Sequence, residues 1–200
     1  MIKLIASDVD GTLVPEGTSR IKPELLDQIR KLTGQGIRFV IASGRQYESI
    51  RKAFDQVADQ VLFIADNGGV VYEKGELLAC NTFPVDSWKE ILQYVHTIPE
   101  AYTMISAVDG SYTDRYSREF ITWLENDYKV PMNRVDDITQ LDLQVMKVAV
   151  YCSRRDAVEQ AAEGLRRFGR TANVLVSGER WLDFVTPAAD KGQALAVAAE

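Results

Sequence analysis

At 200 residues and 46% apolar composition, the chain is long enough for one generous domain or for a core carrying a smaller inserted one. A net charge of −6, from 23 basic and 29 acidic residues spread along the length, argues against nucleic acid or an anionic membrane as the main partner, while leaving room for a local anion site. The N-terminus is too short and too quickly acidic for a signal peptide, and no run reaches the ~20 apolar residues of a membrane span. The two cysteines, Cys80 and Cys152, lie in apolar stretches with no second cysteine at metal-ligand spacing, so the expected compartment is a reducing cytoplasm.

Apart from Lys3, residues 2–6 are apolar without clear alternation, as a buried parallel strand is, and they deliver Asp8 at the strand's carboxyl end. Pro23 opens a segment in which Leu25, Leu26, Ile29 and Leu32 recur at helical spacing, closed by Gly34 and Gly36. A second buried strand over 37–42 ends in Ser43-Gly44-Arg45, a helix is expected over 46–57, and a third strand over 61–65 ends in Asp66-Asn67. Strand, helix, strand, helix, strand with short connections is a doubly wound α/β unit, whose ligands gather beyond the carboxyl ends of the strands. Asp8, Ser43 and Asp66-Asn67 all fall there.

Parallel winding stops at a hairpin of 70–73 and 76–80 around Lys74-Gly75. Residues 83–185 then read as an α+β insertion. It comprises a helix with Trp88, Ile91, Leu92 and Val95, a strand over 102–108, a helix with Phe120, Ile121 and Leu124, a strand over 145–152, a helix over 156–168, and a hairpin of 173–176 with 181–185. Its expected form is an open antiparallel sheet with one face covered. The chain returns to Asp190-Lys191-Gly192 and an alanine-rich helix running to Glu200, so the expected domains are 1–82 with 186–200, and 83–185.

The segment Ser7-Asp8-Val9-Asp10-Gly11-Thr12-Leu13 carries the chemistry. A carboxylate can take a phosphoryl group, forming an aspartyl phosphate that water removes, provided a second group protonates the leaving oxygen. Asp8 and Asp10, two apart on a loop leaving a strand, suit those two tasks, and Gly11 permits the sharp turn. An EF-hand loop, the competing reading of this acidic turn, requires a Glu near its twelfth position and flanking helices rather than a strand. Ser43, Gly44 and Arg45 offer a hydroxyl, an open backbone N–H and a cationic fork, an expected anion cradle at a helix N-terminus, and Lys191 offers a point charge.

Together these segments resemble the haloacid dehalogenase (HAD) superfamily, specifically the Cof-type, subclass IIB phosphatases with a large cap inserted after the third core strand. The resemblance covers essentially the whole chain, through residues 7–13, 41–45, Ala65-Asp66-Asn67-Gly68-Gly69 and Asp190-Lys191-Gly192-Gln193-Ala194-Leu195. It implies a Rossmann-like parallel-sheet core with an inserted α+β cap of the C2 type. It also implies Asp8 as nucleophile, Asp10 as general acid and base, Ser43 as a phosphate ligand and Lys191 as the charge stabiliser. Gly44, Arg45 and Asn67 become substrate-side residues, and Mg²⁺ is held by the carboxylate of Asp8 and the backbone carbonyl of Asp10.

The expected activity is hydrolysis of a small phosphorylated metabolite, with sugar phosphates first, by a cytoplasmic monomer or homodimer. The family's fourth motif, Gly-Asp followed by Asn-Asp, does not follow Lys191, so a truncated chain is expected. A phosphomutase, or a non-catalytic module that binds phosphorylated ligands, remains an alternative. His96 is read as solvated or capping, Trp88, Trp123 and Trp181 as packing within the cap, and Asp136-Asp137 and Arg166-Arg167 as solvated faces. Segments 109–114 and 177–181 are candidate specificity loops.

Overall fold

The computed structural model describes residues 2–15, 20–177 and 179–199, so position 178 of the candidate segment 177–181 and the terminal Glu200 lie outside the described residues. In chain order the elements are β1 (Leu4–Asp8), α1 (Pro23–Gly34), β2 (Arg38–Ala42), α2 (Tyr47–Ala53), β3 (Val61–Ala65), β4 (Val70–Glu73), β5 (Glu76–Cys80) and α3 (Val85–Val95). There follow β6 (Ala101–Ala107), β7 (Gly110–Thr113), α4 (Arg118–Trp123), β8 (Met132–Arg134), β9 (Val145–Cys152), α5 (Ala157–Phe168), β10 (Asn173–Ser177), β11 (Trp181–Val185) and α6 (Lys191–Ala199). They divide into two compact units: Met1–Cys80 with Glu125–Val130 and Ala189–Glu200, and Asn81–Leu124 with Pro131–Ala188. Residues 125–130 lie inside the stretch read as insertion yet cluster with the first unit.

The first unit is built on a sheet ordered β1-β2-β3-β4-β5, with β1, β2 and β3 parallel and the β3/β4 and β4/β5 pairs antiparallel. β2 and β3 earn their unbroken apolar sequences because both faces are covered. Val40, Ala42, Leu62 and Ile64 pack with Ala194 and Ala198 of α6, while Phe63, on the opposite face, meets Tyr47 of α2 at 5.7 Å between ring centroids. β1 departs from the buried strand expected. Among the described residues it pairs only with β2, and its residues are half-buried or exposed, because an edge strand lacks a neighbour on one side. The expected helix over 46–57 is also shorter, because α2 stops at Ala53. A 3₁₀ turn over Asp55–Gln60 then takes over, letting Phe54 and Val57 drop into the core.

The second unit holds a sheet ordered β10-β11-β9-β6-β7-β8. Its pairings are antiparallel except β7 with β8, which are parallel, so the wholly antiparallel expectation is corrected at that edge. The reason is connectivity: the chain passes through α4 between β7 and β8, and such a crossover returns a strand in the same direction. One face packs Val148, Val150, Leu182 and Phe184 against Trp88, Ile91 and Leu92 of α3 and Phe168 of α5. On the other face Trp181, Tyr151 and Tyr102 stand in one cross-strand row, and Phe120 and Trp123 of α4 lie against it, 5.0 Å from Tyr102 and 5.5 Å from Tyr151. No helix among the described residues is long and apolar enough to cross a membrane.

Candidate active site

The candidate site lies where the loops after β1, β2 and β3 meet the start of α6. Beyond Asp8 the backbone turns tightly: Val9 O accepts from the N–H groups of Thr12, Leu13 and Val14, and Gly11, at φ +74°, donates to Val14 O at 2.9 Å. Residue 11 sits in the left-handed region where glycine carries no side-chain penalty. The turn aims Asp10 back across the sheet ends.

The loops after β2 and β3 are stitched together by backbone bonds. Ser43 N donates to Ile64 O at 2.8 Å, Asp66 N to Arg45 O at 2.9 Å, and Asn67 N to Ser43 O at 3.1 Å. Asp66, Asn67 and Gly68 all have positive φ, so the strand reverses within three residues. A Cβ on Gly44 would stand 2.8 Å from Asn67 Oδ1, which places the Asn67 amide directly over Gly44. A Cβ on Gly68 would stand 2.5 Å from the carbonyl of Asp190. Glycine at 68 is therefore what lets Asp190 and Lys191 come close. Asp190 caps α6, its Oδ1 accepting from Gln193 N at 2.8 Å, which fixes Lys191 at the first turn.

The predicted residues meet in two ion pairs. Lys191 Nζ donates to Asp8 Oδ1 at 2.5 Å, with side chains 40% and 44% exposed. Arg45 grips Asp10 with its fork, Nε to Oδ2 at 3.0 Å and a terminal nitrogen to Oδ1 at 2.5 Å. Ser43 is buried and its Oγ accepts from Arg45 N at 3.1 Å. Ser43, Gly44 and Arg45 precede a short α2 whose cap residue is Gln46, and the guanidinium is committed to Asp10.

Two neighbours went unread in the sequence. The Tyr128 ring lies 5.1 Å from the Arg45 guanidinium carbon, and Ser49 Oγ donates to Tyr128 O. Tyr128 arrives from a π-helical turn over Leu124–Tyr128, 83 residues beyond Arg45, so no local pattern announces it. Of the candidate specificity segments, Asp114 is turned inward. His96 Nε2 and Thr103 Oγ1 meet its Oδ1 at 3.0 Å each, and Ile138 N donates to its Oδ2 at 3.3 Å. His96 is therefore paired rather than solvated. Burial by itself would raise the Asp114 pKa, but the bonds from His96, Thr103 and Ile138 outweigh it and hold the carboxyl below its ordinary value.

The family described as haloacid dehalogenase-like hydrolase matches residues 5–200. The chain belongs to the haloacid dehalogenase-like hydrolase family. Among curated relatives of this HAD-like chain, the 5-amino-6-(5-phospho-D-ribitylamino)uracil phosphatase YbjI of Escherichia coli is 26% identical over 197 residues, 97% of this chain and 72% of that protein. Phosphoglycolate phosphatase 1 of Saccharolobus solfataricus is 29% identical over 127 residues, 62% of this chain and 55% of that protein. Of solved structures, one from Eubacterium rectale aligns with a TM-score of 0.84 at 32% identity, covering 98% of this chain and 75% of that one. A haloacid dehalogenase-like hydrolase from B. subtilis aligns with a TM-score of 0.82 at 20% identity, covering 99% and 78%.

A Mg²⁺ ion asks for one or two carboxylates, substrate phosphate oxygens and water. No group of three or more His, Cys, Asp or Glu side chains placed to hold a metal occurs among the described residues. Asp8 nevertheless fits, because Lys191 engages its Oδ1 and the carboxylate stays 44% exposed. Asp8 and Asp10 together offer the hard oxygens such an ion takes.

Proposed function

We propose that this HAD-like phosphoric monoester hydrolase is a cytoplasmic enzyme acting on small phosphorylated metabolites, sugar phosphates first, through an aspartyl phosphate on Asp8. The single observation that carries the reading is the joining of Lys191 to Asp8 and of Arg45 to Asp10 at the ends of adjacent strands. Asp8 Oδ attacks phosphorus as the bond to the leaving oxygen breaks, and Asp10 gives that oxygen its proton. Asp10 then takes a proton from the water that attacks the phosphoryl group and releases Asp8. Lys191 holds the Asp8 carboxylate and offsets the charge gathering beside it, while the Ser43 hydroxyl and the backbone of Gly44 are placed for phosphate oxygens. The Asp8 carboxylate and the Asp10 backbone carbonyl would hold Mg²⁺, which would offset negative charge during the transfer. The second unit is read as the cap.

The test is phosphate release from an aryl phosphate and from a panel of sugar phosphates, glycolate phosphate and the phosphorylated ribityl-aminouracil that YbjI's name specifies. Asp8→Asn should cut turnover by roughly 10³-fold or more while leaving the fold intact. Turnover at the wild-type rate in that variant rejects the assignment. Transfer of phosphate to a sugar hydroxyl, rather than release, would mark a mutase instead.

A further inference from the structure

Arg45 is held from two directions: one edge of its guanidinium grips both oxygens of Asp10, and the ring of Tyr128 lies 5.1 Å from its central carbon, within the ~6 Å over which a cation–π attraction acts. The Arg45 side chain is 7% exposed and the Asp10 side chain it grips 34%, so the cation is buried while the carboxylate keeps an open side. Tyr128 is itself tied down. Its carbonyl accepts from Ser49 Oγ, a fully buried hydroxyl on α2, the helix that follows Arg45. Lys129, next in sequence, has φ +60°, a conformation non-glycine residues adopt only where their surroundings hold them. The segment Glu125–Val130 that carries this ring belongs to the first unit although the residues on either side of it belong to the second.

We infer that Tyr128 is a positioning residue for Asp10, acting through Arg45. The inference rests on the reading of Asp10 as the acid and base. A guanidinium fork can fix a carboxylate only while the fork itself is fixed, and Arg45, with several rotatable bonds, has no such rigidity of its own. The ring supplies a surface on one side of the guanidinium, and the Ser49 bond keeps that surface in register with the helix after Arg45. Without the ring the guanidinium loses the surface that flanks it, its alignment on Asp10 loosens, and the carboxylate samples more orientations unsuited to the leaving oxygen. Because this fault is in alignment rather than in substrate attachment, it falls on kcat and spares KM.

The test uses the whole protein with an aryl phosphate and Mg²⁺, comparing wild type, Tyr128→Phe, Tyr128→Met and Arg45→Met, each alone, and Tyr128→Met with Arg45→Met. Methionine fills much of the ring's volume without a π face, whereas phenylalanine keeps the face and loses only the hydroxyl. Tyr128→Met should lower kcat about tenfold with KM changed by less than about twofold, and Tyr128→Phe should stay within about twofold of wild type in both. In the Arg45→Met background, adding Tyr128→Met should cost less than about twofold, since the cation through which the ring acts is gone. A wild-type kcat in Tyr128→Met, a loss carried by KM, or a tenfold loss that persists beside Arg45→Met overturns the inference.

A second readout does not depend on turnover. The Arg45 Nε–H should give a protected, slowly exchanging NMR resonance in wild type and Tyr128→Phe, and lose that protection in Tyr128→Met. Protection retained in Tyr128→Met overturns the inference even if no substrate is turned over. If Tyr128→Met fails to fold, Ser49→Ala, which releases the same segment at its backbone, should lose the Nε–H protection. Retention there overturns the inference equally. Failure of Asp8→Asn to abolish hydrolysis would instead reject the functional reading and leave this NMR result standing.

Discussion

Asp8 and Asp10 of the first unit meet Lys191 and Arg45 on a loop cluster where the carboxylates stay 44% and 34% exposed, whereas Asp114 of the second unit meets His96 with its own side chain only 4% exposed. Both arrangements pair an acid with a base, and exposure separates their uses. Asp114 spends its acceptor capacity on His96, Thr103 and the Ile138 N–H, leaving little for a ligand. Asp8 has one oxygen engaged by Lys191 and a side open to solvent, the state a nucleophile needs. The lesson is that polar pairs alone do not mark a site. What marks it is a pair held from behind and open in front.

Breaking the second unit's pair offers the largest effect on stability. Asp114→Ala leaves three partner groups facing a void and should cost about 2–4 kcal/mol in urea unfolding, since stranded buried partners carry their full desolvation penalty. The Asp8-dependent turnover of the folded fraction should hold. If turnover falls together with stability, Asp114 acts in the chemistry after all and the comparison breaks. A smaller effect is expected in the first unit from Gly68→Ala, where φ +98° and a Cβ 2.5 Å from the Asp190 carbonyl force the turn and the start of α6 apart. It should cost about 1–3 kcal/mol and also reduce kcat by displacing Lys191. Unchanged kcat in that variant would show that Lys191 does not depend on this close approach.

The smallest effect is a pH dependence. Because Asp114 titrates below its ordinary value when folded, the stability it contributes is fully present above the usual carboxylate range and drains away as pH falls through its lowered folded pKa. The stability gap between wild type and Asp114→Asn should therefore narrow as thermal melts are taken from pH 5 toward pH 3, a range set by the ordinary carboxylate pKa of about 4. A gap that widens between pH 5 and pH 3 would mean the carboxylate is not held in its charged form.

Much of the site was legible because its chemistry sits in short contiguous runs at strand ends. Asp8, Ser43, Gly44, Asn67 and Lys191 each follow or open an element whose apolar period names it, and the parallel arrangement then brings those ends together. Arg45 was legible as a cation but not as the partner of Asp10, because a side chain that reaches an acid 35 residues away leaves no local trace. The same holds for His96 with Asp114, where the register of β6 and β7 brings Thr103 and the strand end together. The exposure of β1 and the parallel β7–β8 pair depend on which strands become neighbours, and a single strand's sequence does not record its neighbours.

The sequence by itself determined the α/β core, the acidic turn after the first strand and the family, because apolar periodicity and turn chemistry are local properties of a chain. Only the tertiary structure decided that Arg45 grips Asp10, that Tyr128 backs Arg45 and that Asp114 is closed in. Those pairings depend on where distant loops come to rest, and a side chain's partner is set by distance in space rather than along the chain.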